Sequence, residues 1–226
     1  MKLNLDDFEA IIFDMDGVLI DSEPLWKIAM EQVFAAVGSK LTRQDFQKTV
    51  GLRLDEVIQF WHHHEGWTTV SPEEVEQQIV LKMQELIRAN GTPLTGVIET
   101  LQYLRAQNKK IGLATSSYRV LIDTVLEVLD LKEAFDCTHS AELEAYGKPH
   151  PAVYLTVADF FQVDPRNCLV IEDSLNGIIS AKAAKMKVVC IPEKTHFPEP
   201  KLILADYQFE DMGLLLEAFT NESNKQ

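Results

Sequence analysis

Cysteine is scarce in this chain. Its 226 residues include three, Cys137, Cys168 and Cys190, too few and too scattered for a disulfide framework or a zinc site. Each stands in a β-like apolar context and is expected to be a small buried hydrophobe. Long apolar runs are missing too: none approaches the ~20 residues of a membrane-spanning helix. The opening Met1-Lys2-Leu3-Asn4-Leu5-Asp6-Asp7 puts acid ahead of the first apolar stretch, unlike a signal peptide. A cytoplasmic protein with no membrane partner is expected. Positive charge is the third shortage: 21 Lys and Arg face 35 Asp and Glu, a formal net charge of −14. Nucleic acid, whose phosphates call for clustered cations, is thereby disfavoured as a partner. Repeats and low-complexity tracts are absent, apart from a polar tail at 221–226 that is expected to fray.

What is present is an ordinary globular composition, 46% apolar and 25% charged. The length suits one large domain, or a core carrying a smaller one. Short β-branched and aromatic runs at 10–14, 110–115, 168–172 and 187–191 read as strands buried on both faces. Helical patterns at 97–107, 119–130, 152–161 and 174–185 separate them. Strands alternating with helices predict an α/β fold, a doubly wound parallel (Rossmann-like) sheet with ligands outside the carboxyl ends of its strands. Residues 24–90 differ, reading as successive amphipathic helices without a strand. The last begins with Ser71 as N-cap, Pro72 at the first helical position and Glu74 completing a capping box. Val75, Ile79, Met83, Leu86 and Ile87 form its apolar stripe, and Gly91 suits its end. Hinges are expected at 21–24 and 90–93. The chain thus divides into a core of 1–20 plus 93–226 and an inserted helical block, 21–92, placed to act as a lid.

Four short motifs fall in order at predicted strand ends or in the loops after them. In Asp14-Met15-Asp16-Gly17 two carboxylates follow an apolar strand. Asp14 is suited to attack phosphorus as a nucleophile, and Asp16 to protonate a leaving alkoxide and later deprotonate water; the bland alternative is a turn using Asp and Gly for their backbone preferences. Thr115-Ser116-Ser117 offers hydroxyls and N–H groups to phosphate oxygens, or caps the next helix, or both. In Gly147-Lys148-Pro149-His150-Pro151 a lysine is held between Gly and Pro, an odd choice for solvent but apt for neutralising a phosphoryl group beside Asp14. The fourth is Glu172-Asp173-Ser174-Leu175-Asn176-Gly177. Magnesium takes hard oxygen ligands. Asp173 and Asp14 supply two carboxylates, with Glu172 as helper to the metal water or to Lys148, while Asp173 or Ser174 serves equally as a helix cap. Asn176 joins the candidate phosphate-binding residues.

Together these motifs resemble the haloacid dehalogenase superfamily over nearly the whole chain. The resemblance implies that Asp14 is nucleophile and magnesium ligand, and that Asp16 is the acid/base and lends its backbone carbonyl to the metal. It implies phosphate binding by Thr115 and Lys148, a magnesium shell completed by Asp173, and a helical cap closing over the substrate. Within that superfamily an expelled halide needs no proton whereas a sugar alkoxide does, so Asp16 favours phosphoryl chemistry. Phosphomutases of the β-phosphoglucomutase type resemble the chain but carry histidine where Trp26 aligns and lysine just before the glycine matching Gly51. Here the residues are Trp26 and Val50, which leaves hydrolysis as the default and a mutase as the alternative. The words 21–26, 51–55, 148–151 and 172–177 look like those of bacterial phosphatases acting on hexose and hexitol phosphates such as 2-deoxyglucose 6-phosphate. The expected enzyme is then a monomeric, magnesium-dependent phosphatase of small phosphorylated metabolites. Arg53 either reaches a phosphate or sugar hydroxyl or is a solvated helix residue. Trp26 either stacks on a sugar face or packs lid against core. His62-His63-His64-Glu65 is no metal site, because consecutive helical residues point about 100° apart.

Overall fold

The computed structural model describes residues 3–49, 52–192 and 199–223. Val50 and Gly51 of the mutase comparison, and 224–226 of the polar tail, lie outside the described residues. The strands β1 (Ala10–Phe13), β2 (Lys110–Thr115), β3 (Cys137–Ser140), β4 (Cys168–Glu172), β5 (Lys187–Cys190) and β6 (Tyr207–Gln208) form one sheet. Their order is β3-β2-β1-β4-β5-β6, all parallel. The strand order reverses between β1 and β4, which opens a crevice at their carboxyl ends, the usual ligand position in such sheets.

Alternation along the strands builds two cores. Ile11, Phe13, Ile111, Leu113, Leu169 and Ile171 face one side. There they meet α5 (Val97–Ala106), α6 (Arg119–Val128) and α9 (Met212–Ser223). Ala10, Ile12, Ala114, Cys168, Val170 and Val188 face the other, against α7 (Ala152–Phe161) and α8 (Leu175–Ala183). Gly112 is required on that side: a Cβ there would stand 2.6 Å from Val157 Cγ1, so its absence lets α7 seat on the sheet. Cys168 and Cys190 are buried as expected, and Cys137 on edge strand β3 is half-buried.

Between β1 and β2 the chain runs through α1 (Glu23–Ala36), α2 (Arg43–Phe46), α3 (Leu54–Glu65) and α4 (Pro72–Asn90). The α4 N-terminus has the expected box: Ser71 Oγ accepts from Glu74 N at 3.2 Å, and Ser71 N donates to Glu74 Oε2 at 3.0 Å. Gly91 ends α4 in extended rather than left-handed backbone. It is needed for space, since a Cβ would lie 2.6 Å from the Ile87 carbonyl oxygen. The two connections to the sheet run side by side, with Leu94 N donating to Leu19 O at 3.0 Å and Ile20 bridged to Pro93. No helix among the described residues is long and apolar enough to cross a membrane.

Three expectations need amendment. Strands β3 and β6 went unpredicted because one is the polar Cys-Thr-His-Ser and the other has two residues; sheet-edge position, not pattern, makes them strands. The helices expected to reach 130 and 185 stop at Val128 and Ala183, where Asp130 (φ 54°) and Lys185 (φ 65°) turn left-handed. Residues 221–223 form the last turn of α9 instead of a frayed tail.

Candidate active site

Asp14 follows β1 directly and is anchored by its own N–H, which donates to Ile171 O of β4 at 2.9 Å. Its carboxylate is buried and receives Lys148 Nζ at 2.9 Å. The same ammonium donates to Glu172 Oε1 at 2.7 Å and to Ala114 O at 3.2 Å, and lies 4.8 Å from the Tyr154 ring centroid. Lysine 148 is 3% exposed, a burial sustainable only with this set of partners. Burial alone would depress its ammonium, but Asp14 and Glu172 hold it above the ordinary value.

Glu172 is the most satisfied acid of the site. Tyr154 Oη donates to its Oε1 at 2.6 Å, while Asp173 N, Ser174 N and Ser174 Oγ donate to Oε2 at 3.0, 3.1 and 3.0 Å. Gly177, one turn into α8, makes room: a Cβ there would overlap the Glu172 carboxylate at 1.7 Å. Burial pushes the Glu172 carboxyl up, yet Lys148 and the hydrogen bonds hold it below its usual value. Tyr154 did not stand out in the sequence, where it reads as one more apolar-face residue of a helix.

Asp14 and Asp173 fare differently. Burial drives the Asp14 carboxyl up to about 7, helped by Glu172 and Asp16 and opposed by Lys148. Asp173 is raised well above its ordinary value by burial, then by Glu172 and Asp14. Each of Asp14, Glu172 and Asp173 places an oxygen within 4.8 Å of the other two. One lysine therefore faces three gathered carboxylates, and two of them lack sufficient positive charge. Hard oxygen donors so placed fit a small divalent cation. Asp173 also presses on the first loop: a Cβ on Gly17, at φ 71°, would lie 2.0 Å from its Oδ2. Only glycine meets both demands.

The Asp16 side chain is not in that grouping. Its Oδ1 accepts from Ser22 Oγ at 2.6 Å and from Trp26 Nε1 at 2.9 Å, and its Oδ2 from Ser117 Oγ at 2.6 Å. Ser22 precedes α1 yet makes no side-chain cap bond, its hydroxyl being given to Asp16. Ser117 is fixed in turn, its N–H donating to Thr115 Oγ1 at 3.1 Å and its carbonyl accepting from Ser140 Oγ at 2.7 Å. Of the hydroxyl triplet, then, Ser117 holds Asp16, while Thr115 and Ser116 line the cavity over the site. The cap position of α6 is Tyr118, so the triplet does not cap that helix. Ser174, by contrast, does cap α8, accepting from Gly177 N at 3.0 Å.

A cavity lies over these groups. Asp14, Asp16, Thr115, Ser116, Lys148 and Asp173 line its floor, and α1 to α3 with the segments between them contribute Trp26, Met30, Phe46, Thr49, Leu52, Leu54 and Val57. Trp26 lines the cavity, and its indole N–H is bonded to Asp16, an arrangement neither sequence reading contained. Arg53 is not in the lining. Its Nη1 donates to the carbonyls of Ala141 and Glu144 at 3.1 and 2.9 Å, and Nη2 pairs with Asp55 at 3.1 Å. It is neither solvated nor aimed at the floor; it ties the start of α3 to the segment after β3. Asn176 is half-buried on the first turn of α8 and does not line the cavity either. Among the described residues no His62–His64 metal cluster exists. His62 Nε2 pairs with Trp67 O at 3.0 Å and His64 Nδ1 with Phe60 O at 2.8 Å.

Residues 11–191 match the family described as haloacid dehalogenase-like hydrolase. Hexitol phosphatase B of Escherichia coli (strain K12) is 38% identical over 204 residues, covering 90% of this chain and 92% of that protein. The phosphorylated carbohydrates phosphatase of Thermotoga maritima is 32% identical over 183 residues, 78% of this chain and 81% of its own. Among solved structures, CbbY from Rhodobacter sphaeroides in complex with xylulose-(1,5)bisphosphate superposes with a TM-score of 0.85 at 22% identity. That match covers 94% of this chain and 99% of the other.

Proposed function

This chain belongs to the haloacid dehalogenase-like hydrolases, and from that membership we propose that it is a magnesium-dependent phosphatase of small sugar phosphates. Hexose and hexitol phosphates such as 2-deoxyglucose 6-phosphate are the substrate class, in keeping with the activities named for its relatives in E. coli and T. maritima. The observation that carries the reading is the unlike treatment of two acids only two residues apart. Asp14 is paired with Lys148 among carboxylates; Asp16 is held apart by three neutral donors.

The reaction runs in two halves. An Asp14 carboxylate oxygen attacks phosphorus, the bond from phosphorus to the sugar oxygen breaks with its electron pair on that oxygen, and Asp16 delivers a proton there. A water then attacks the aspartyl-phosphate as Asp16, now a carboxylate, takes its proton; phosphate departs and Asp14 is regenerated. Lys148 offsets charge on the phosphoryl oxygens and on Asp14, and Thr115 and Ser116 orient the phosphate. Asp14, Asp173 and the Asp16 carbonyl would hold Mg²⁺, which would supply the further positive charge that these buried acids and a phosphate together require.

In this reading residues 21–92 act as a lid over a core of 1–20 and 93–226, swinging about the paired connections near Ile20 and Pro93. Closure excludes water from the first half-reaction. Free-phosphate release from a panel of sugar phosphates, with Mg²⁺ or with chelator, is the test. Release is expected to require the metal and to vanish in Asp14→Asn. Undiminished release in that variant would remove the nucleophile, and an isomerised phosphosugar in place of phosphate would replace the phosphatase by a mutase.

A further inference from the structure

The floor of the cavity answers the phosphoryl group; its walls answer what remains of the substrate. Among the described lining residues Lys148 is the single cation, and its ammonium is already shared by Asp14, Glu172 and the Ala114 carbonyl. The other charged lining groups, Asp14, Asp16, Glu23 and Asp173, are acids. The lid wall of Trp26, Met30, Phe46, Leu52, Leu54 and Val57 offers one polar hydrogen, the Trp26 indole N–H, and Asp16 takes it. Three further cations with described side chains stand close in sequence to this wall. Lys27 pairs with Glu23 at 3.0 Å, and Lys48 pairs with Asp45 at 3.1 Å and lies over the Trp61 ring, 5.6 Å from its centroid.

Arg53 is the telling one, because Leu52 and Leu54 on either side of it line the cavity while its guanidinium does not. Two carbonyls and Asp55 occupy it, and Glu56 lies 3.7 Å away. Its stem is wedged against Gly147, where a Cβ would come within 2.7 Å of Arg53 Cγ. Both terminal nitrogens of this guanidinium are thus engaged in holding the start of α3 against the segment that leads to Lys148.

We infer that the site selects phosphomonoesters whose leaving group carries no second negative charge. This rests on the phosphatase reading above and adds its specificity. A bisphosphate or a phosphorylated sugar acid would bury its distal anion against hydrocarbon with no cation to pair it, and an unpaired buried charge is strongly disfavoured. A neutral polyol meets no such penalty, since it can lay its C–H face on the wall and donate its hydroxyls to the oxygens of Thr49 and Tyr118, whose own hydrogens go to Phe46 O and Glu76. Discrimination comes from rejecting the wrong ligand more than from gripping the right one.

The test uses two substrates with the same carbon chain, glucitol 6-phosphate and 6-phosphogluconate, which differ in CH₂OH against carboxylate. With saturating Mg²⁺, kcat/KM is expected to favour the neutral ester by at least about 30-fold, the scale of an unpaired charge partly relieved by water. The chain's net charge of −14 also repels anions at long range, so the ratio is read again near 0.5 M salt, where screening confines fields to ~4 Å. Persistence of the ratio supports the cavity as its source; collapse assigns it to the surface field and overturns the inference. Leu52→Lys, at a half-buried lining position, is expected to narrow the ratio at least about fivefold, and Val57→Lys is the second variant should the first fail to fold. An unchanged ratio in an active variant counts against the inference. Equal turnover of both esters by the native protein overturns it and leaves the phosphatase standing. Release from neither ester takes both down.

Discussion

The indole N–H of Trp26 donates to Oδ1 of Asp16 at 2.9 Å, so a helix outside the sheet holds a carboxylate on the sheet's first loop. Ser22, at the joint between loop and helix, donates to the same oxygen. The placement of α1 and the orientation of the Asp16 carboxylate are therefore one structural variable in this protein.

Replacing Trp26 with Phe keeps a ring on the wall and removes the donor. We expect kcat to fall about tenfold with KM within about twofold, the loss of one hydrogen bond orienting a proton-transfer group. Steady-state kinetics on a sugar phosphate checks this. Raised KM with unchanged kcat would return Trp26 to the role of a sugar-stacking residue.

Asp16→Asn separates the two half-reactions. p-Nitrophenolate leaves without a proton, so p-nitrophenyl phosphate is expected to give a burst of about one equivalent of nitrophenol followed by slow turnover, since the second half still lacks its base. Sugar phosphates are expected to show no burst and a kcat lowered about 10²- to 10⁴-fold. Rapid-mixing absorbance reads the first and phosphate release the second; sugar phosphate turnover within tenfold of the native rate would strip Asp16 of its role.

Arg53→Ala leaves the Ala141 and Glu144 carbonyls without their donor. A stability loss of about 1–2 kcal/mol is expected by denaturant titration. On the lid reading proposed above, kcat/KM should fall about three- to tenfold by a common factor for neutral and doubly charged esters. A selective loss for charged esters would mean that the guanidinium meets substrate after all.

Asp206 supplies a pH signature remote from the site. It pairs with Lys182 at 2.7 Å and Lys187 at 2.9 Å, and accepts from Val188 N at 2.9 Å. Burial pushes its carboxyl up, but the two lysines and the N–H win and hold it below the usual 3.8. A depressed acid stabilises the fold above its unfolded value, and that stability is lost as pH falls through the folded value. Asp206→Asn should therefore cost up to about 1 kcal/mol at pH 7, both lysines being partly solvated. The gap should close below about pH 4. A gap constant from pH 7 to pH 3 would show that the ion pairs are not its source.

Much of the framework could be read from neighbouring residues. The strands ending at Phe13, Thr115 and Glu172 announce themselves by unbroken apolar runs, because a strand covered on both faces has no polar side to show. The α4 cap was legible because Ser71, Pro72 and Glu74 act within one turn. Strands β3 and β6 were not, being short edges whose pairing partner, more than their composition, makes them strands.

By itself, then, the sequence determined which acids and hydroxyls stand at strand ends and which lysine lies in a following loop, because strand periodicity and loop placement act over a few residues. Only the tertiary structure decided what each of them touches. Ser117 meets Asp16 across 101 residues, Lys148 meets Asp14 across 134, and Arg53 finds its carbonyls 88 and 91 residues away. The physical reason is that a hydrogen bond is set by distance and direction in space. Local pattern can name a donor and an acceptor, but the packing of helices on the sheet chooses the pair.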